Sequence, residues 1–403
     1  MSRAMDRRSL LQTVAALGLG AGLLGRAGGA WAQQFPGGNV RDALAEPFVG
    51  LTTDGKPRGG LFPIQKTGVS TAPMLAAAQR FHGSLSDSQR RAVLFPVADS
   101  EWRNWANIHR FPRQGVSLAE MTPEQRERAY DLLRATLSAK GYQTARDIMR
   151  LNHHLAELLS NFAEYGEHLY WISMMGEPSP AAPWGWQIDG HHLIINAFVL
   201  GDQIVMTPTF MGSEPVRAES GRYAGAAILE AEQARGLDFM RSLPADQQQT
   251  AVIGAKDGRA ANLAEMFKDN LVVPYQGLAA AALGEAQRAS LMALIGLYVG
   301  NLRDGHGAVR LEEVRAHLDE THFAWRGAID ENAVFYYRIH SPVIFIEFDH
   351  QGPIALAGRR HVATRAHIHT VVRTPNGNDY GKDLLRQHYE DHKHDPAHGH
   401  APH

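Results

Sequence analysis

From Trp184 to Phe210 the chain runs almost without a charged residue, broken only at Asp189-Gly190 and Gly201-Asp202. Asx-Gly and Gly-Asx pairs between apolar runs are the strongest short-range signal for a hairpin. The stretch therefore reads as strands folded back on one another, with Leu193–Leu200 and Gln203–Phe210 pairing across the second turn. Strands this apolar must be buried, so the rest of the fold has to cover a sheet. Two later β-rich runs, Ala333–His340 and Val343–Asp349, and a short run from His367 to Arg373 extend it. His168–Met175 alternates weakly in the same sense.

Helical signals lie on either side of these strands. Ser86 with Gln89, and Thr122 with Gln125 behind Pro123, have the form of capping boxes that open helices. The first sits inside a helical stretch from Thr71 to Val97. The second starts a helix to about Lys140, and another follows from Thr144 to about Phe162. Helical patterns return over about 222–242, 244–253, 285–303, 310–320 and 379–389. Strands mixed with helical blocks, without regular βαβ spacing, indicate an α+β fold: a mostly antiparallel sheet packed by helices, with a helical N-terminal region. No internal repeat is present.

The N-terminus carries a different message. Asp6-Arg7-Arg8-Ser9-Leu10-Leu11 is followed by an uncharged run to Gly25 and by Ala30-Trp31-Ala32, a small-x-small cleavage pattern. Residues 1–32 therefore read as a twin-arginine signal peptide and place the mature protein in the periplasm or outside the cell. The run is too short and too rich in glycine for a membrane span. No later run is long enough to span a membrane. Residues 33–70 read as an extended lead-in, 71–390 as a single α+β domain and 391–403 as a disordered tail. That tail holds five histidines in its thirteen residues and suits loose binding of Zn, Cu or Ni.

Composition narrows the chemistry. The net charge is -2, with no basic block in the body of the chain, which excludes a nucleic-acid partner. There is no cysteine, so thiolate nucleophiles, zinc–thiolate sites, iron–sulfur clusters and blue-copper centres are excluded together. Any metal must be held by His, Asp, Glu, Asn or backbone oxygen. No Gly-x-Ser-x-Gly elbow, P-loop or dinucleotide fingerprint occurs.

Strand alternation then picks out a ligand set. His192, Ile194 and Asn196 share one face, and His191, Leu193 and Ile195 the other. Glu347 and Asp349 share a face among apolar residues, where carboxylates need a cation or hydrogen-bond donors. His367 and His369 point the same way. The expected metal ligands are His192, Glu347, His367 and His369, around one divalent Zn, Cu, Fe or Mn ion. Asp349 and His191 are the candidate proton carriers. At least three of His192, His367, His369, Glu347 and Asp349 should bring ligand atoms within about 5 Å of one another, with His191 pointing away. A lone histidine is more often a hydrogen-bonded sheet residue, so only the group together points to a metal. His322, Arg338 and the Trp184-Gly185-Trp186 wall are weaker candidates for contact with a substrate.

The segments Trp184–Asn196, His322–Trp325, Tyr337–Ile339, Ile346–Asp349, His367–Thr370 and Asp379–Leu385, with Leu94-Phe95-Pro96 and Asn104-Trp105, together resemble the domain-of-unknown-function family 3500. The resemblance covers most of the mature chain, with a longer loop between Asp349 and His367 than the family pattern has. It implies a domain type and no activity. The residues themselves point to an exported metal-dependent enzyme, hydrolytic, acting on a small molecule. The alternative is a non-catalytic periplasmic protein that binds or delivers metal.

Overall fold

The protein was studied as a computed structural model, which describes residues 40–256, 258 and 260–392. The expected signal peptide, the start of the lead-in and the tail beyond His392 lie outside the described residues. Both capping boxes form as read. Ser86 caps Asp87–Val93, and Thr122 caps Pro123–Thr136. In each, the hydroxyl accepts the N3 amide proton while the N3 glutamine reaches back to the cap amide.

Among the described residues thirteen strands form one sheet. They are β1 (Leu94–Phe95), β2 (Val116–Ser117), β3 (Tyr170–Met175), β4 (Trp184–Gly190), β5 (Leu193–Leu200), β6 (Gln203–Val205) and β7 (Thr209–Ser213). They continue as β8 (Val252–Gly254), β9 (Leu278–Ala279), β10 (His322–Gly327), β11 (Phe335–His340), β12 (Phe345–His350) and β13 (Ile368–Arg373). The main order is β1-β3-β4-β5-β7-β13-β12-β11-β10-β8. Only β1 with β3 and β8 with β10 pair in parallel. The α+β, mostly antiparallel architecture is thus present. From Arg41 onward the described residues belong to one compact unit.

Register sorts the side chains onto two chemically opposite faces. Opposed residues share a face, so Asp189, Ile194, Phe210, Gly212, His369, Asp349 and Tyr336 lie on one side. Gln187, Asn196, Glu347, Arg338 and Arg373 join them there by alternation. The other face carries Ile188, Ile195, Met211, Phe348, Tyr337 and Trp325. Helices cover this apolar face. Tyr337 Oη donates to Glu232 O at 3.0 Å in the helix Glu230–Ser242. A Cβ on Gly236 of that helix would stand 2.2 Å from the Tyr337 ring, so only glycine allows this approach. The polar face is covered by irregular segments. Gln187 donates to Trp102 O at 2.9 Å, and Arg373 Nε to Ala264 O at 2.8 Å.

Two expectations need correction. The turn between β4 and β5 is His191-His192, not Asp189-Gly190, which are the last residues of β4. Gly190 is demanded by packing, since a Cβ there would lie 2.2 Å from the Tyr170 ring. The lead-in also takes part in the fold. It contains a helix, Val40–Ala45, and its Thr52 bridges to Val272.

Candidate metal centre

Three histidines meet at one end of the sheet. His369 is on β13, His367 immediately precedes that strand, and His192 closes the β4–β5 turn. The β7–β13 register sets Gly212 opposite His369, and a Cβ there would fall 2.5 Å from Ile368 O and 3.2 Å from the His369 ring. A bare backbone at Gly212 therefore leaves room for the imidazole. His192 sits at φ +63°, a left-handed conformation uncommon outside glycine. Such strain persists where surrounding structure enforces it, which is often at a functional site.

The Nε2 atoms of His192 and His367 each lie 3.0 Å from Nε2 of His369. One nitrogen from each ring falls within 4.8 Å of the others, and all three residues are buried. This group could hold a metal ion. Ligand bonds of about 2.0–2.1 Å in tetrahedral geometry put neighbouring nitrogens about 3.3 Å apart, close to the spacing found. The proton positions favour the same reading. His367 Nδ1 is 2.8 Å from the carbonyl oxygen of Gly352, which can only accept, so Nδ1 carries the proton. His369 Nδ1 is 2.7 Å from Glu265 Oε1 and is placed to donate likewise. With both outer nitrogens protonated, neutral rings turn bare lone pairs toward each other at Nε2. A cation removes that repulsion.

Burial holds all three rings in the neutral form. It pushes the pKa of His192, His369 and His367 below the ordinary imidazole value, and for the first two the neighbouring histidines push further down. Nearby Glu214 opposes the shift at His367. Glu265 is raised to about 7 by burial, against Asn107, His367 and Gln351. Neutral imidazoles with a carboxylate behind one of them form the usual orienting arrangement around a metal ligand.

Of the five groups expected to converge, three do: His192, His367 and His369. Glu347 does not join them. It lies opposite Val371, one row along the sheet from the Asp349–His369 pair. Its carboxylate takes the Tyr336 hydroxyl at 2.6 Å and the amides of Leu263 and Ala264 at 2.9 Å. Burial raises it to about 7 in spite of those donors. Asp349 does lie across from His369, but its oxygens are taken by Lys256 Nζ at 3.1 Å and the Ala261 amide at 2.7 Å. Both carboxylates are thus engaged by protein donors.

His191 does not point away. Sitting in the turn with His192, its ring stacks on the His192 ring at a 4.0 Å centroid distance. Its Nδ1 is 2.8 Å from Asn152 Oδ1. The His109 and Tyr165 rings stand 5.3 and 5.5 Å from it. Among the weaker candidates, Arg338 donates to Gln276 at 2.8 Å, His322 stacks on Tyr275, and Trp184 and Trp186 are core residues.

Sequence reading missed Glu265, Gln351 and Asn107. Gln351 Nε2 approaches both Asp349 and Glu265, at 3.2 and 3.4 Å. Asn107 bonds to the Glu265 side chain, and its carbonyl oxygen accepts the His192 amide proton at 3.2 Å. Its Oδ1 is buried and has no partner among the described residues. Glu265 and Asn107 lie on irregular segments, where no periodicity marks them.

A mixed sheet with a buried three-histidine group at one end defines the class. The chain belongs to the family described as protein of unknown function, DUF3500, which matches residues 67–382. No curated protein and no solved structure matched the chain.

Proposed function

We propose that this chain is an exported, metal-dependent hydrolase that holds one divalent ion on His192, His367 and His369 and acts on a small molecule. The observation that carries the reading is the convergence of three imidazoles, with Nε2 of His192 and of His367 each 3.0 Å from Nε2 of His369 and Nδ1 anchored on two of the rings. A set of three imidazoles without a carboxylate suits Zn, or next Cu, better than Mn. An ion held by His192, His367 and His369 would supply Lewis-acid activation of water for hydrolysis.

The surrounding residues have roles that follow from their contacts. Glu265 fixes the His369 tautomer. Asn107 offers an unpaired acceptor beside the centre, and His191 lies against His192 on a path to the partly exposed His109. A cavity of about 430 Å³ borders this end of the sheet, lined by Glu214, Pro353, Leu356, Arg359, Val362 and Ala366. Glu214 Oε2, on the wall of that cavity, is 3.8 Å from the outer nitrogen Nδ1 of His367. Export is supported by Arg7-Arg8 and Ala30-Trp31-Ala32. Among the described residues no helix is long and apolar enough to cross a membrane. A metal-delivery protein would need an accessible site, whereas these histidines are buried, which favours a resident ion.

The test is turnover. Zn-loaded protein should hydrolyse at least one substrate in a panel of carboxylic esters, phosphoesters and small amides. The activity should disappear on chelation, return on adding Zn, and be absent in His367→Ala. No turnover across the panel, or turnover that survives chelation, would overturn the hydrolase reading.

A further inference from the structure

On the opposite side of the sheet from His369, a second cavity of about 100 Å³ lies beneath the helices. Phe62, Met211, Leu302, Ile344 and Val372 give it apolar patches, and Gln203, Asn301, His306 and Asn378 are among its polar lining. Asn301 is buried, and its Oδ1 has no partner among the described residues. Its Nδ2 finds only the thioether of Met211, at 3.7 Å. A buried acceptor without a donor is costly, so an occupant that brings a proton is favoured.

Other polar groups of the wall are engaged: Gln203 with Pro63 O and the Gln65 amide, Thr67 with Asp202 O, and Asn378 Oδ1 with the Leu384 amide. Thr209 Oγ1 donates to Met206 O at 2.8 Å, and Thr370 Oγ1 to Met211 O at 2.7 Å. The hydroxyls of Thr207 and Thr374 pair at 2.7 Å. Tyr337 Oη donates to Glu232 O, so in the Tyr298–Tyr337 hydroxyl pair the proton of Tyr298 is also committed. Arg310 is held by Glu313, Val343 O and Thr374, which leaves no free charge for an anion.

We propose that this cavity is a binding site for a small neutral molecule with an apolar body and one hydroxyl, such as a phenol, its hydroxyl donating to Asn301 Oδ1. The volume is of the order of the roughly 150 Å³ apolar cavity that takes benzene in an engineered protein. The site is separate from the metal centre, and occupancy should not change the metal content.

Phenol and toluene, matched in shape, are the probes. Wild-type protein should bind phenol about five-fold more tightly than toluene, the worth of one hydrogen bond. A crystal soaked in phenol should place its oxygen about 3 Å from Asn301 Oδ1. Asn301→Leu should keep toluene binding and lose the preference. Should that variant fail to fold, the wild-type comparison and the soaked crystal still decide the question. Equal affinities for the two probes, or a cavity holding only water in the soaked crystal, would overturn the proposal.

Discussion

Replacing Glu265 by Gln probes the centre without touching a ligand. The side chain keeps its size, and the amide oxygen can still meet His369 Nδ1, now 2.7 Å from a carboxylate oxygen. What is lost is the negative charge. In the metal-free protein burial raises Glu265 to about 7, so the carboxylate is only partly ionised near neutrality. A cation on His369 Nε2 would favour the ionised form, so Glu265 and the ion stabilise each other through the ring. Removing a carboxylate behind a metal-bound histidine costs about 10–100-fold in metal affinity, or roughly 1.4–2.8 kcal/mol. His367 gains less of this help, because its Nδ1 bonds to a neutral carbonyl and the Glu214 carboxylate stands 3.8 Å away. Competition titration of Zn against a chromophoric chelator at pH 8 measures the difference. If Glu265→Gln changes the affinity by less than about twofold, the coupling through His369 is refuted.

Glu347→Gln should do the reverse. It should leave Zn affinity within about twofold of wild type but cost about 1–3 kcal/mol of stability, because three donors lose a full carboxylate. Chemical denaturation with parallel metal analysis checks both, and a lost ion would restore Glu347 to the ligand set. His350 gives a pH signature away from the centre. Burial lowers it to about 3, with Nδ1 accepting the Phe335 amide proton and Nε2 against Gln233. Its pKa is lower folded than unfolded, so the unfolded chain takes up the proton first as pH falls below about 6.5. Wild-type stability should therefore fall relative to His350→Gln by about 1.4 kcal/mol per pH unit between about pH 6 and 4, as measured by urea unfolding. Parallel slopes for the two proteins would contradict a neutral buried His350.

The sequence was most readable where local chemistry decides the structure. The capping boxes at Ser86 and Thr122 formed as read, because each needs only residues three apart. The His-x-His pair at His367 and His369 was legible from strand alternation for the same reason. Tertiary context decided the rest. Asp189-Gly190 looks like a turn, yet Tyr170 packs against that glycine and the turn moves to His191-His192. That shift stacked the two rings that alternation had placed on opposite faces. Glu347 and Asp349 were correctly read as buried carboxylates needing partners. Their partners are Tyr336, Lys256 and the amides of Ala261, Leu263 and Ala264, which no spacing in the strand announces. Glu265 was invisible for the converse reason, since only the covering segment's path brings it to His369.

The central claim is that His192, His367 and His369 bind one ion. It is tested most directly on protein ending at Glu390, which lacks the histidine-rich tail, by elemental analysis and X-ray absorption. About one transition-metal equivalent per chain is expected, with three imidazole nitrogens at about 2.0–2.1 Å, and loss of the ion in His369→Ala. Less than about 0.2 equivalents of any such metal after purification and Zn loading, or retention of the ion in His369→Ala, would contradict it.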